Sequence, residues 1–146
     1  QHDAGDIPKF MELGAANPGC IINGNPVYDD SVPASRRNGR KITNFWVCIE
    51  TLSRDIGDAM CGFRLYPLKE IAPLVQKGLR FKRMASDIEL IVRAHWRKIK
   101  IINLGTRVTY PQNGLSNFRL VKDNITISAM HTLLVCGMPL HKLLGK

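Results

Sequence analysis

Ser86-Asp87-Ile88-Glu89-Leu90-Ile91-Val92-Arg93-Ala94-His95-Trp96, followed closely by Ile99-Lys100-Ile101-Ile102-Asn103-Leu104, is the stretch on which the fold class turns. Ser86 to Glu89 has the form of a capping box, and Ile88, Ile91, Val92 and His95 or Trp96 recur at the spacing of one helix face. Ile99–Leu104 predicts a strand, and Arg107–Tyr110 a second one ending at the turn Pro111-Gln112-Asn113-Gly114. A helix feeding directly into a strand is the repeating unit of an α/β chain.

The same alternation extends towards the N-terminus. Gly5–Ala16 carries Ile7, Phe10, Met11 and Leu13 in a helical pattern, with Asp6 as N-cap, Pro8 in the first turn and Asn17-Pro18-Gly19 as the stop. Cys20–Gly24 predicts a buried strand. Residues 25–41 contain turn formers followed by Arg36, Arg37, Arg40 and Lys41, which predicts a long basic loop, a length usually tied to function or disorder. Ile42, Phe45, Trp46, Ile49 and Leu52 form one apolar helical stripe. Met60–Tyr66 predicts a strand interrupted at Gly62, Leu68–Val75 a short helix closed by Gly78, and residues 120–144 a C-terminal helix.

The chain has 146 residues, a formal charge of +9 and 45% hydrophobic residues, which fits one domain at most and excludes collagen-like, coiled-coil and wholly disordered classes. Cys20, Cys48, Cys61 and Cys136 form no C-x-x-C pair, so buried free thiols in a reducing compartment are expected rather than a zinc framework or a disulfide scaffold. The N-terminal residues carry no secretory signal. The longest stretch free of acidic and basic side chains, Asn124–His141, is shorter than the roughly 20 apolar residues of a membrane span. A core-facing or membrane-surface helix is expected there.

Two basic runs stand out. Arg36, Arg37, Arg40 and Lys41 make one, and Arg80, Lys82, Arg83, Arg93, Arg97, Lys98 and Lys100 the other. Such charge suits an anionic membrane surface or a nucleic acid. No aromatic RNA-binding motif, zinc finger or helix-turn-helix signature accompanies it, which favours the membrane. His2, His95, His131 and His141 have no zinc-ligand spacing. Trp46 and Trp96, set among aliphatics at helical spacing, are read as core rather than as a sugar platform.

Four segments occur in a telling order: Gln1-His2-Asp3 with Asp6-Ile7-Pro8; Asp58-x-x-Cys61-Gly62-Phe63-Arg64; Ser86-Asp87-Ile88-Glu89-Leu90-x-x-Arg93-Ala94; and Arg107 before Gly114-x-Ser116. Together they resemble the second half of the family-two glycosyltransferases, inverting nucleotide-sugar enzymes that include the polyprenyl-phosphate sugar synthases. The resemblance implies that residues 1–146 are the C-terminal portion of a single GT-A (Rossmann-like) domain without its N-terminal nucleotide-binding strands. It implies transfer of a sugar from a nucleotide-sugar donor to a lipid-linked or cell-envelope glycan acceptor, at the inner face of the cytoplasmic membrane, and a stretch that is inactive by itself.

The same resemblance places an Asp-x-Asp motif just before Gln1. There a divalent metal, Mg²⁺ or Mn²⁺, neutralises the departing diphosphate, with Gln1 beside it as a ligand. It assigns Asp87 as the carboxylate that deprotonates an acceptor hydroxyl, with Ser86 standing where many relatives carry Glu. That departure leans towards a phosphate acceptor, which needs little deprotonation. Glu89 is expected to be structural, capping the backbone of Ser86. Asp58 and Arg64 line the acceptor side, and Arg107 with Arg36 or Arg37 clamps phosphate oxygens. Gly114-Leu115-Ser116 resembles the family's mobile acceptor-side loop. The rival reading is a noncatalytic basic module that binds anionic lipid or nucleic acid.

Overall fold

A computed structural model describes residues 2–29, 32–109 and 118–143, with the side chains of 139–143 outside that description. Five helices and a small mixed sheet make up an α/β fold: α1 (Ile7–Ala16), β1 (Ile21–Tyr28), α2 (Ala34–Thr51), β2 (Arg64–Leu65), α3 (Leu68–Gln76), α4 (Met84–Trp96), β3 (Ile101–Val108) and α5 (Leu120–Leu143). The strand order is β2-β1-β3. β1 is antiparallel to β2, with Ile22 opposite Leu65, and parallel to β3 from Ile21↔Ile101 to Tyr28↔Val108. Parallel pairing needs a long crossover. Here α2, α3 and α4 supply it.

The central position of β1 explains its sequence. Ile21, Ile22, Asn23 and Gly24 are all buried, because the strand is covered on both faces at its N-terminal end. Gly24 is required by a close approach: a Cβ there would lie 2.6 Å from the Phe63 carbonyl oxygen, which accepts the Gly24 N–H. α4 is apolar on two sides. Ile88, Ile91 and Val92 pack with Val47 of α2 and Ile127, Met130 and Leu134 of α5, while Leu90 and Ala94 pack with Ile21 of β1 and Ile71 and Leu74 of α3. A helix that is hydrophobic nearly all round is a central one.

Several sequence expectations are corrected. Within the basic loop expected over 25–41, residues 25–28 end β1 and residues 34–41 form the first two turns of α2, so Arg36, Arg37, Arg40 and Lys41 lie on a helix. Ala34 and the basic residues are good helix formers, and propensity sets these turns where apolar periodicity is missing. The strand expected over Met60–Tyr66 shrinks to Arg64–Leu65. The two strands expected between Ile99 and Tyr110 are one, running through Gly105.

The capping box at Ser86 is not formed. α4 opens earlier, at Met84; the Ser86 hydroxyl donates to the Arg83 carbonyl, and Glu89 accepts from the backbone N–H groups of Arg80 and Phe81 and pairs with Arg93 at 3.0 Å. Glu89 is structural, but through the preceding loop. Of the four free cysteines only Cys61 is buried, and Cys136 is exposed. The C-terminal helix runs as expected to Leu143, while Leu144 and the turn at Pro111–Gly114 lie outside the described residues.

Candidate functional site

Three of the four motif segments converge on the loop between α2 and β2. Asp58, in that loop, is buried and pairs with Arg40 of α2 at 2.8 Å, while the same Oδ1 accepts the Met60 N–H. Its backbone carbonyl accepts from Asn23 of β1 and from Arg64. Arg64 is the hub. Its Nε–H donates to Asn23 Oδ1 at 2.7 Å, Nη1 to the Tyr66 hydroxyl and the Asp87 carbonyl, and Nη2 to the Asp58 and Ala59 carbonyls. One guanidinium thus ties the second motif to the start of α4, where Asp87 sits.

The first motif arrives by a different route. The backbone of His2 bridges Val108 at the end of β3, and its ring stacks on Phe63 at 5.1 Å and lies 3.8 Å from Cys61 Sγ. Burial and the nearby Arg40 hold the His2 imidazole below its usual pKa, and burial pushes the Cys61 thiol up. Both groups are therefore neutral near pH 7, and the thiolate a nucleophilic cysteine needs is disfavoured. Asp3 caps the following turn through the Gly5 N–H, and buried Asp6 accepts from the Thr106 hydroxyl of β3 at 2.9 Å, which fixes α1 against the strand.

Asp87 differs from every other acid in this region. Its carboxylate is half-buried, accepts no hydrogen bond among the described residues, and is pushed above the ordinary aspartate range by burial, with Arg64 opposing. A carboxyl group raised in this way is suited to proton transfer.

A cleft of about 370 Å³ opens between the first half of α2, the start of α4 and the start of α5. Arg36 and Arg40 supply its charge, and Met60, Met84, Phe118 and Leu120 its apolar walls. Arg36 is on this cleft, whereas Arg37, exposed on the same helix, is not among its lining residues. Arg107 is exposed on β3 between the buried Thr106 and Val108, one residue from the His2 bridge.

The expected site residues therefore separate. Asp58 and Arg64 are braces within the fold: Asp58 holds Arg40, and all five N–H groups of Arg64 are engaged internally. Asp87, Arg36 and Arg107 keep positions from which they can meet a ligand. Gln1 and Gly114–Ser116 lie outside the described residues, and among the described residues no group of His, Cys, Asp and Glu could hold a metal ion.

In the sequence Arg40 is marked only as part of a basic run. Its pairing with Asp58 has no local sequence signal, since the two are eighteen residues apart. Comparison with family models, with curated proteins and with solved structures finds no match.

Proposed function

We propose that the chain is the acceptor-side part of an inverting glycosyltransferase of the family-two type, taking a nucleotide-sugar donor and a lipid-linked or envelope-glycan acceptor. The observation that carries this reading is the meeting of segments remote in sequence: His2 against Cys61 and Phe63, and Asp58 and Asp87 held by one guanidinium. The small mixed sheet, with its helices on either side, is consistent with part of a GT-A domain.

In this reading Asp87 removes the proton of an acceptor hydroxyl as the sugar is displaced in line, and the Arg36–Arg40 wall of the cleft attracts acceptor phosphate oxygens. Arg36 and Arg40 both line that wall, and Arg40 is also charge-paired with Asp58.

Donor binding tests the reading. The 146-residue chain alone is expected to give no saturable isothermal titration with UDP- or GDP-sugars. A longer chain carrying an Asp-x-Asp motif ahead of Gln1 is expected to bind one of them in a metal-dependent way. Tight donor binding by the 146 residues alone would overturn the assignment.

Membrane association is the second element of the proposal. Among the described residues no helix is long and apolar enough to cross a membrane. However, α2 exposes Ile42 and Phe45 on the helix that also carries exposed Arg37 and Lys41. Apolar side chains flanked by cations fit the surface of an anionic bilayer. Co-sedimentation with vesicles is expected to rise with anionic lipid and to weaken in high salt, since exposed charges are screened beyond about 8 Å at physiological ionic strength. Preferential retention on DNA would instead favour a noncatalytic basic module.

A further inference from the structure

β3 is an edge strand. The sheet order β2-β1-β3 leaves one side of Ile101–Val108 without a neighbouring strand. The parallel register tells which backbone groups that side presents. The Ile21 N–H donates to the Lys100 carbonyl while Ile21 stands opposite Ile101, so the even-numbered residues of β3 turn their N–H and C=O groups towards β1. The odd-numbered ones turn outward. At the C-terminal end the outer side is taken, because His2 bridges Val108 and the Arg107 N–H faces the Asp6 carboxylate. At Ile101, Asn103 and Gly105 it is open. Their N–H and C=O groups have no hydrogen-bond partner among the described residues, and Asn103 and Gly105 are exposed.

An open edge is a template for a further strand, and charge beside it governs which strand can come. Arg97, Lys98 and Lys100 are exposed just before the open segment and Arg107 just after it. The exposed acid in contact with the segment is Asp55, whose carbonyl accepts from the Asn103 side chain and whose carboxylate is paired with His95. A second copy of the chain is disfavoured here. Antiparallel self-pairing centred on Asn103 would set the Lys100 end of one copy against the Arg107 end of the other, and each copy carries a formal charge of +9. The same cations attract an acidic strand. Ile102 and Leu104, both half-buried, share one face of β3. Side chains alternate along a strand, so an added strand with an apolar residue at every second position would extend that row.

We propose that the outer edge of β3 binds an extended segment of a partner protein, acidic at its ends and apolar at alternate positions, as a fourth strand paired to Ile101, Asn103 and Gly105. The proposal does not depend on the transferase reading and can stand if that reading falls. Gly105 gives a direct test, since its N–H points away from β1. Proline there removes an outward donor and leaves the ladder with β1 in place. Alanine keeps the donor, and its Cβ would meet only Val27, at 3.5 Å.

Isothermal titration of the 146-residue chain with the acetylated and amidated peptide Glu-Glu-Val-Thr-Val-Thr-Val-Glu-Glu is expected to give saturable one-to-one binding that weakens in high salt. Gly105→Pro should weaken it about tenfold, by losing a main-chain bond and setting a ring against the incoming strand, while Gly105→Ala should leave it within about twofold. The peptide with Lys in place of each Glu should not bind. Amide hydrogen exchange at Asn103 and Gly105 should be fast in the free chain and slow on addition of the acidic peptide. That readout needs no variant, and it decides the matter if circular dichroism shows Gly105→Pro unfolded. Absence of saturable binding, equal binding of the Lys peptide, or unchanged exchange at Asn103 and Gly105 would each overturn the proposal. Reversible dimerisation of the chain that Gly105→Pro abolishes would overturn it too, by giving the edge to a second copy.

Discussion

Arg64→Met is expected to destabilise the fold by about 3–4 kcal/mol, the largest loss from any single side chain around the candidate site. The reason is the number of partners stranded together. The Ala59 and Asp87 carbonyls and Asn23 Oδ1 each lose a donor, at about 1–3 kcal/mol for each buried group left without another, while the Asp58 carbonyl keeps Asn23. Lys in the same place keeps the charge but cannot reproduce the planar fork, so Arg64→Lys is expected to recover only a minor part. Urea denaturation gives the readout, as a fall in midpoint with an unchanged slope. A loss below about 1 kcal/mol would mean that the loop is held by the Asp58–Arg40 pair and not by Arg64.

The hub also accounts for what was hard to read in the sequence. A helix over Leu68–Gln76 and another from Leu120 were legible because each is announced by its own apolar spacing or length. The Met60–Tyr66 segment has strand-forming residues, yet the carbonyls of Asp58 and Ala59 turn to a side chain instead of a neighbouring strand. That side chain is Arg64, five and six residues further on, and no turn or cap pattern in between announces the pairing. α2 began earlier than its apolar stripe because its first two turns are basic and exposed.

The Ser86–Glu89 pattern matched a capping box in letters only, since the Arg80 and Phe81 amides compete successfully for the Glu89 carboxylate. Glu50 and His131, a buried pair at 2.6 Å, are 81 residues apart, and Glu50 sits in an otherwise apolar stretch with no partner within one helical turn. An acid embedded among Val47, Ile49 and Leu52 was the available clue, and the partner was not.

The second large effect is chemical. In a longer chain competent for transfer, Asp87→Asn is expected to lower turnover with a hydroxyl acceptor by about 10² to 10⁴, the usual worth of a general base. A phosphate acceptor should lose much less. Because burial raises the Asp87 pKa, the rate with a hydroxyl acceptor should climb with pH through a point above the ordinary aspartate range.

Stability should move in the opposite direction. A carboxyl group whose folded pKa is raised favours the fold while protonated, and that advantage is lost as pH rises through the folded value. Asn never ionises, so Asp87→Asn should leave the fold as stable or slightly more stable at pH 7. Lower turnover together with undiminished stability would mark a group kept for chemistry. Small, equal rate losses for Asp87→Asn and Arg107→Lys, with folding intact, would remove both from the reaction.

The register of β1 with β3 sets the order in which this chain can assemble. Asn23 pairs with Asn103 across eighty residues, and the whole parallel ladder keeps that separation. Closing so long a loop is entropically unfavourable until α2, α3 and α4 have shortened the path, so the helical layer should collapse first and the ladder close late. Substitutions that loosen β3 should then speed unfolding while leaving the folding rate nearly unchanged, whereas those in the shared face of α2 and α4 should slow folding itself. During synthesis β1 emerges long before its partner. Until β3 follows, Ile21 and Ile22 have no parallel neighbour, which makes this strand the natural point of capture for a chaperone.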